Sequence, residues 1–69
     1  MPRVGSEARI TWFGGLREHA VVSAVEDGGR RLQVETAAGE RLQFVLNPAT
    51  ARFAAADEAH GARLELLGP

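Results

Sequence analysis

Three glycine-bearing turns, at Gly14-Gly15, Asp27-Gly28-Gly29 and Ala37-Ala38-Gly39, cut the first two thirds of the chain into short runs. Within each run, apolar and polar residues alternate rather than recur at helical spacing. Alternation with period two is the signature of a strand with one face buried. Asp-Gly between two such runs is the strongest short-range hairpin signal a sequence carries. The spacing therefore predicts an antiparallel meander.

Four strands follow from this punctuation. In Ala8-Arg9-Ile10-Thr11-Trp12-Phe13, Ala8, Ile10 and Trp12 share one face and Arg9, Thr11 and Phe13 the other. Gly14-Gly15 ends this run with the positive φ angles that a tight turn needs. The second run, His19 to Glu26, sets Ala20, Val22 and Ala24 against Val21, Ser23 and Val25. Both of its faces are apolar enough for a strand that bends across a small barrel. The third, Arg30 to Thr36, turns Leu32 and Val34 inward, and the fourth, Glu40 to Leu46, turns Leu42, Phe44 and Leu46 inward. Such a meander has two open edges and one apolar face, so the segment after residue 46 has to cover that face.

Residues 47–61 carry two readings. Asn47 as N-cap, Pro48 at the first helical position and Gly61 at the far end frame a helix over 48–60. Its alanines support that, alanine being the best helix former. The other reading is a turn at Asn47-Pro48-Ala49-Thr50, a short strand at 51–55, a loop, and a last strand at 62–67. Alanine and arginine are abundant throughout, and lysine is absent. This is the mark of a codon bias, which weakens the helix argument. The expected fold is mainly β: a small antiparallel barrel of five to six short strands in one domain spanning 1–69. The helix at 48–60, packed on a four-stranded meander with a final strand, is the alternative. The barrel resembles the general plan of SH3-like domains, in architecture and not through any family motif.

At 69 residues the chain buries only about 60% of the surface its unfolded form exposes. Its core supplies a few kcal/mol at most. Small domains compensate with disulfides, a metal or a partner. Cysteine is absent, which excludes disulfides and thiolate zinc sites. A well-patterned barrel or self-association remains. Eight basic residues, all arginine, face nine acidic ones, so no global positive field draws the chain to nucleic acid or anionic lipid. No apolar run approaches the length of a membrane span, and no signal peptide follows Met1-Pro2-Arg3. A cytoplasmic location without membrane contact is expected.

No motif carries chemistry. His19 with Glu18, and His60 with Asp57 and Glu58, match no metal-ligand spacing. Ser23 lies mid-strand among valines, Ser6 lies near the start, and no nucleophile elbow is present. Glu26-Asp27 and Asp57-Glu58 stand at element ends, where turn chemistry and solubility explain them. Gly14-Gly15 before Arg17 and Gly28-Gly29 before Arg30-Arg31 lack any phosphate-binding fingerprint. The chain is accordingly expected to have no catalytic activity, cofactor or metal. It is expected to act as a binding module through protein–protein contact or homo-oligomerisation. The alternative is single-stranded nucleic acid binding through an aromatic and arginine face. Trp12, Phe13, Arg17, Arg30, Arg31 and Arg41 are the candidate binding residues, because alternation turns either Trp12 or Phe13 away from the core. Leu67, beside Leu66, is a further candidate for an interface.

Overall fold

A computed structural model of the chain describes residues 3–56 and 61–67. The sequence folds into six strands: β1 Glu7–Thr11, β2 Arg17–Glu26, β3 Arg31–Thr36, β4 Arg41–Asn47, β5 Arg52–Ala55 and β6 Arg63–Leu66. Each strand pairs antiparallel with the next, and β6 pairs back onto β1 from Ala8↔Leu66 to Thr11↔Arg63, closing a barrel. The open edges expected of the meander are thereby sealed. Strand addition at a free edge, the simplest route to a partner, is not the geometry this fold offers.

The inward positions fill the barrel as alternation predicts. Ala8 and Ile10 on β1, Ala20 and Val22 on β2, Leu32 and Val34 on β3, and Phe44 on β4 are all buried. Phe53 and Leu64 face each other across β5 and β6 and complete the core. Each large side chain buried here contributes about 1.5–3 kcal/mol relative to exposure.

Two local features depart from simple alternation. On β2 the register against β3 shifts between Val22, opposite Val34, and Ala24, opposite Gln33. Ser23 is the extra residue of a β-bulge, and its hydroxyl donates to the Gln33 carbonyl at 3.1 Å. The bulge reverses the inside–outside phase. Val25, expected on the same face as Val21, instead lies opposite Leu32 and packs against the core, while Val21 stays exposed. A bulge also sharpens strand twist, which suits a strand that pairs with β1 through its first half and β3 through its second.

The second departure settles residues 47–55. The amides of Thr50 and Ala51 both donate to the Asn47 carbonyl, and Asn47 Oδ1 accepts from the Ala49 amide at 2.9 Å. One helical turn thus begins where Asn47-Pro48 invites it. Ala51 then adopts φ +56°, the left-handed region, and ends it. β5 follows, and Phe53 enters the core opposite Leu46. The helical alternative over 48–60 is overturned for 52–55, which form a strand; 57–60 lie outside the described residues. Burying Phe53 against Leu46 and Leu64 outweighs the helix preference of the alanines, a propensity worth only tenths of a kcal/mol per residue.

Antiparallel order places the β1–β2, β3–β4 and β5–β6 connections at one end of the barrel and the β2–β3 and β4–β5 connections at the other. At that second end, Asp27 and Gly28 both have positive φ, the conformation expected of Asp-Gly in a hairpin.

Candidate functional site

The β1–β2 connection is built by two backbone bonds. The Gly15 amide donates to the Trp12 carbonyl at 2.9 Å, and the Trp12 amide to the Leu16 carbonyl at 2.7 Å. Gly14 and Gly15 sit at φ +95° and +91°, which residues with a Cβ rarely adopt. This tight turn throws two large apolar side chains into solvent: Phe13 is 89% exposed and Leu16 71%. Phe13 stands over the backbone of Gly61, where a Cβ would meet its ring at 3.7 Å.

Trp12 points the other way. It packs against the core, and its indole Nε1 donates to Glu18 Oε1 at 3.1 Å. Its ring forms one wall of a hollow of about 270 Å³, lined also by Leu42, Phe44, Ala55 and Ala62 and rimmed by Arg41 and Gln43. The β4–β5 pair runs from Asn47↔Arg52 to Phe44↔Ala55, and the Ala56 amide extends it by donating to the Gln43 carbonyl at 2.9 Å, so the hollow lies at the end of this ladder. The end of the barrel therefore presents an apolar finger, Phe13 and Leu16, beside a mostly apolar hollow.

The six residues expected to form a binding face divide by position. Trp12, Phe13, Arg17 and Arg41 lie at this loop end. Arg30 and Arg31 lie at the opposite end, beside the Asp27–Gly29 turn. Arg41 is also engaged, its Nε lying 3.6 Å from Glu35 across the β3–β4 pair. Leu16 escaped the sequence reading because the second strand was expected to start at His19; it starts at Arg17, which leaves Leu16 inside the turn. Leu67 is exposed, hydrogen-bonded through its amide to the Glu7 carbonyl, and far from the finger at the other end of β6.

Closure of β6 on β1 also assembles arginines that no local pattern connects. Arg63 and Arg17 both flank Thr11, one on β6 and one on β2. In the next row Glu65, Arg9 and His19 stand side by side. Arg9 binds Glu65 at 2.8 Å. The hydrogen bond from Arg9, then its charge, and more weakly the charge of Arg17 hold the Glu65 carboxyl below the usual carboxylate range. His19 lies 3.9 Å from Glu7, while Glu18 is turned to Trp12 on the other face of β2. The two neighbours Glu18 and His19 therefore do not converge on one ligand. Among the described residues no three histidines or carboxylates group as a metal site; Asp57, Glu58 and His60 lie outside them. No helix among the described residues is long and apolar enough to cross a membrane.

Searches against protein-family models, curated proteins and solved structures found no match.

Proposed function

We propose that this chain is a small cytoplasmic binding module on an SH3-like plan, without catalytic activity of its own. It acts through protein–protein contact, self-association included, and its contact surface is the loop end. One observation carries the reading: Phe13 and Leu16, on one tight turn, are exposed together beside the hollow walled by Trp12 and Leu42. Contiguous exposed apolar surface of this kind marks interaction sites in soluble proteins. Full burial of each side chain is worth about 1.5–3 kcal/mol. A core this small, without disulfides, gains from such burial in proportion to its own modest stability.

Sedimentation velocity from micromolar to millimolar concentration tests the self-associating form. The expected result is a sedimentation coefficient that rises with concentration in the wild type and stays at the monomer value in a Phe13→Ser, Leu16→Ser double variant. A wild-type chain that remains monomeric at millimolar concentration sinks self-association. Association that persists unchanged in the double variant would move the interface away from the loop end.

A further inference from the structure

The side of the barrel formed by β5, β6, β1 and β2 is a separate surface. Its outward positions carry Arg52, Arg63, Arg9 and Arg17, half of the arginines in the chain. Arg63 and Arg17 straddle Thr11 across two strand spacings, about 10 Å. No carboxylate stands in that row. Among the described residues, no carboxylate lies within 4.0 Å of Arg17, Arg52 or Arg63. Arg9 spends one guanidinium nitrogen on Glu65, while its Nε is buried without a hydrogen-bond partner among the described residues. Two adjoining open hollows, about 480 and 210 Å³, share Arg52, Phe53 and Arg63 in their walls. A chain with net charge −1 thus keeps a local cationic track: among the described residues Glu26, Asp27, Glu35 and Glu40 stand elsewhere on the barrel, and the outward carboxylates on this side are Glu7 and Glu65.

We propose that this track binds the phosphate backbone of single-stranded nucleic acid. Guanidinium groups grip phosphate oxygens in pairs of parallel hydrogen bonds. Several of them in rows, with open grooves between, match a polymer of phosphates better than a single anion. Exposed Phe13, two residues beyond Thr11 at the loop end of the same face, supplies a ring on which a base stacks. Only a single strand offers base faces for that contact. A lipid surface fits less well, since Thr11, Ala54 and Glu65, not large apolar side chains, lie among these arginines. The track meets the self-association surface at Phe13, and its arginines can be altered without touching Phe13, Leu16 or the hollow beside Trp12.

The test is fluorescence anisotropy of a labelled short oligothymidylate titrated with the full chain across a salt series. Single-strand binding through three or four phosphates predicts a log–log salt slope of about −2 to −3. Arg17→Ser with Arg63→Ser should weaken binding by roughly tenfold or more and flatten the slope by about 1.4. Arg30→Ser with Arg31→Ser removes the same charge at the other end of the barrel and should leave affinity within about twofold. Phe13→Ala should weaken binding without changing the slope. Amide spectra of each variant establish that it is folded. Arg17→Lys with Arg63→Lys keeps the charge, and should retain the slope while losing affinity. Four results would overturn the proposal: no binding at low salt, equal losses in the two serine pairs, equal affinity for duplex DNA, or binding to phosphatidylserine vesicles without binding to the oligonucleotide.

Discussion

Phe44 and Phe13 mark the two extremes of side-chain environment in this barrel. Phe44 is fully buried, opposite Leu32 on one side and Ala55 on the other. Its truncation to alanine removes a ring from a core that cannot collapse around the gap, at a cost of about 3–5 kcal/mol. That equals or exceeds what a core of this size supplies, so Phe44→Ala should be unfolded by circular dichroism at room temperature. Phe13→Ser should keep its denaturation midpoint within about 0.5 kcal/mol of the wild type, as exposed positions do. A large loss there would mean that Phe13 is packed rather than presented. This contrast was only partly legible in the sequence. Alternation put Ile10 and Trp12 on one face and Phe13 on the other but left either aromatic as the outward one; the fold turns Trp12 to the core and Phe13 to solvent. The partner of the Trp12 indole was not legible, because Glu18 reaches it only once the β1–β2 turn has brought the two strands together.

Among the elements, the turn between β4 and β5 shows how a local preference is taken up and then cut short. The bonds to the Asn47 carbonyl make one helical turn, and Ala51 at φ +56° breaks it. An alanine held in the left-handed region costs about 1–2 kcal/mol, of which glycine recovers part after its own entropic loss. Ala51→Gly should therefore stabilise the protein by about 0.5–1 kcal/mol, seen as a melting temperature several degrees higher. Were 48–60 helical, the same substitution would lower it by a similar amount, so the sign of the shift decides between the two. The sequence held both readings because Asn47, Pro48 and the alanines speak for a helix, while a turn at 47–50 leaves room for a short strand at 51–55. Only the space left between Leu46 and Leu64 chooses. The bulge at Ser23 was illegible for a related reason. A serine in an alternating run looks like any outward residue until its neighbours are forced into register with β3.

At the scale of the whole molecule, β6 is the closing piece. It joins residues more than fifty positions apart, as in the Arg9–Glu65 pair, and buries Leu64 against Ile10 and Phe53. A chain cut after Gly61 would lose Ala62 and Leu64 from the core and both seams that β6 makes. It should give the collapsed amide spectrum of an unfolded chain; a dispersed spectrum would mean that the five-strand sheet stands alone. Closure by such distant segments also predicts slow folding for the size of the chain, in the millisecond-to-second range of barrels dominated by non-local pairings.

What the sequence determined by itself was local: that four alternating strands precede residue 47, which residues of β1, β3 and β4 face inward, and that the glycine-bearing turns need positive φ. These follow from period-two alternation and from the backbone demands of glycine-bearing turns, both encoded over a few neighbouring residues. Which surfaces those residues share was decided by the tertiary structure. Arg17, Arg63 and Arg9 are neighbours only because β1 pairs with β2 on one side and β6 on the other, and Arg30 and Arg31 part from Trp12 only because the strands run antiparallel. Strand direction and ring closure are properties of the whole chain, set by how six apolar faces are buried at once, and no short stretch of sequence contains them.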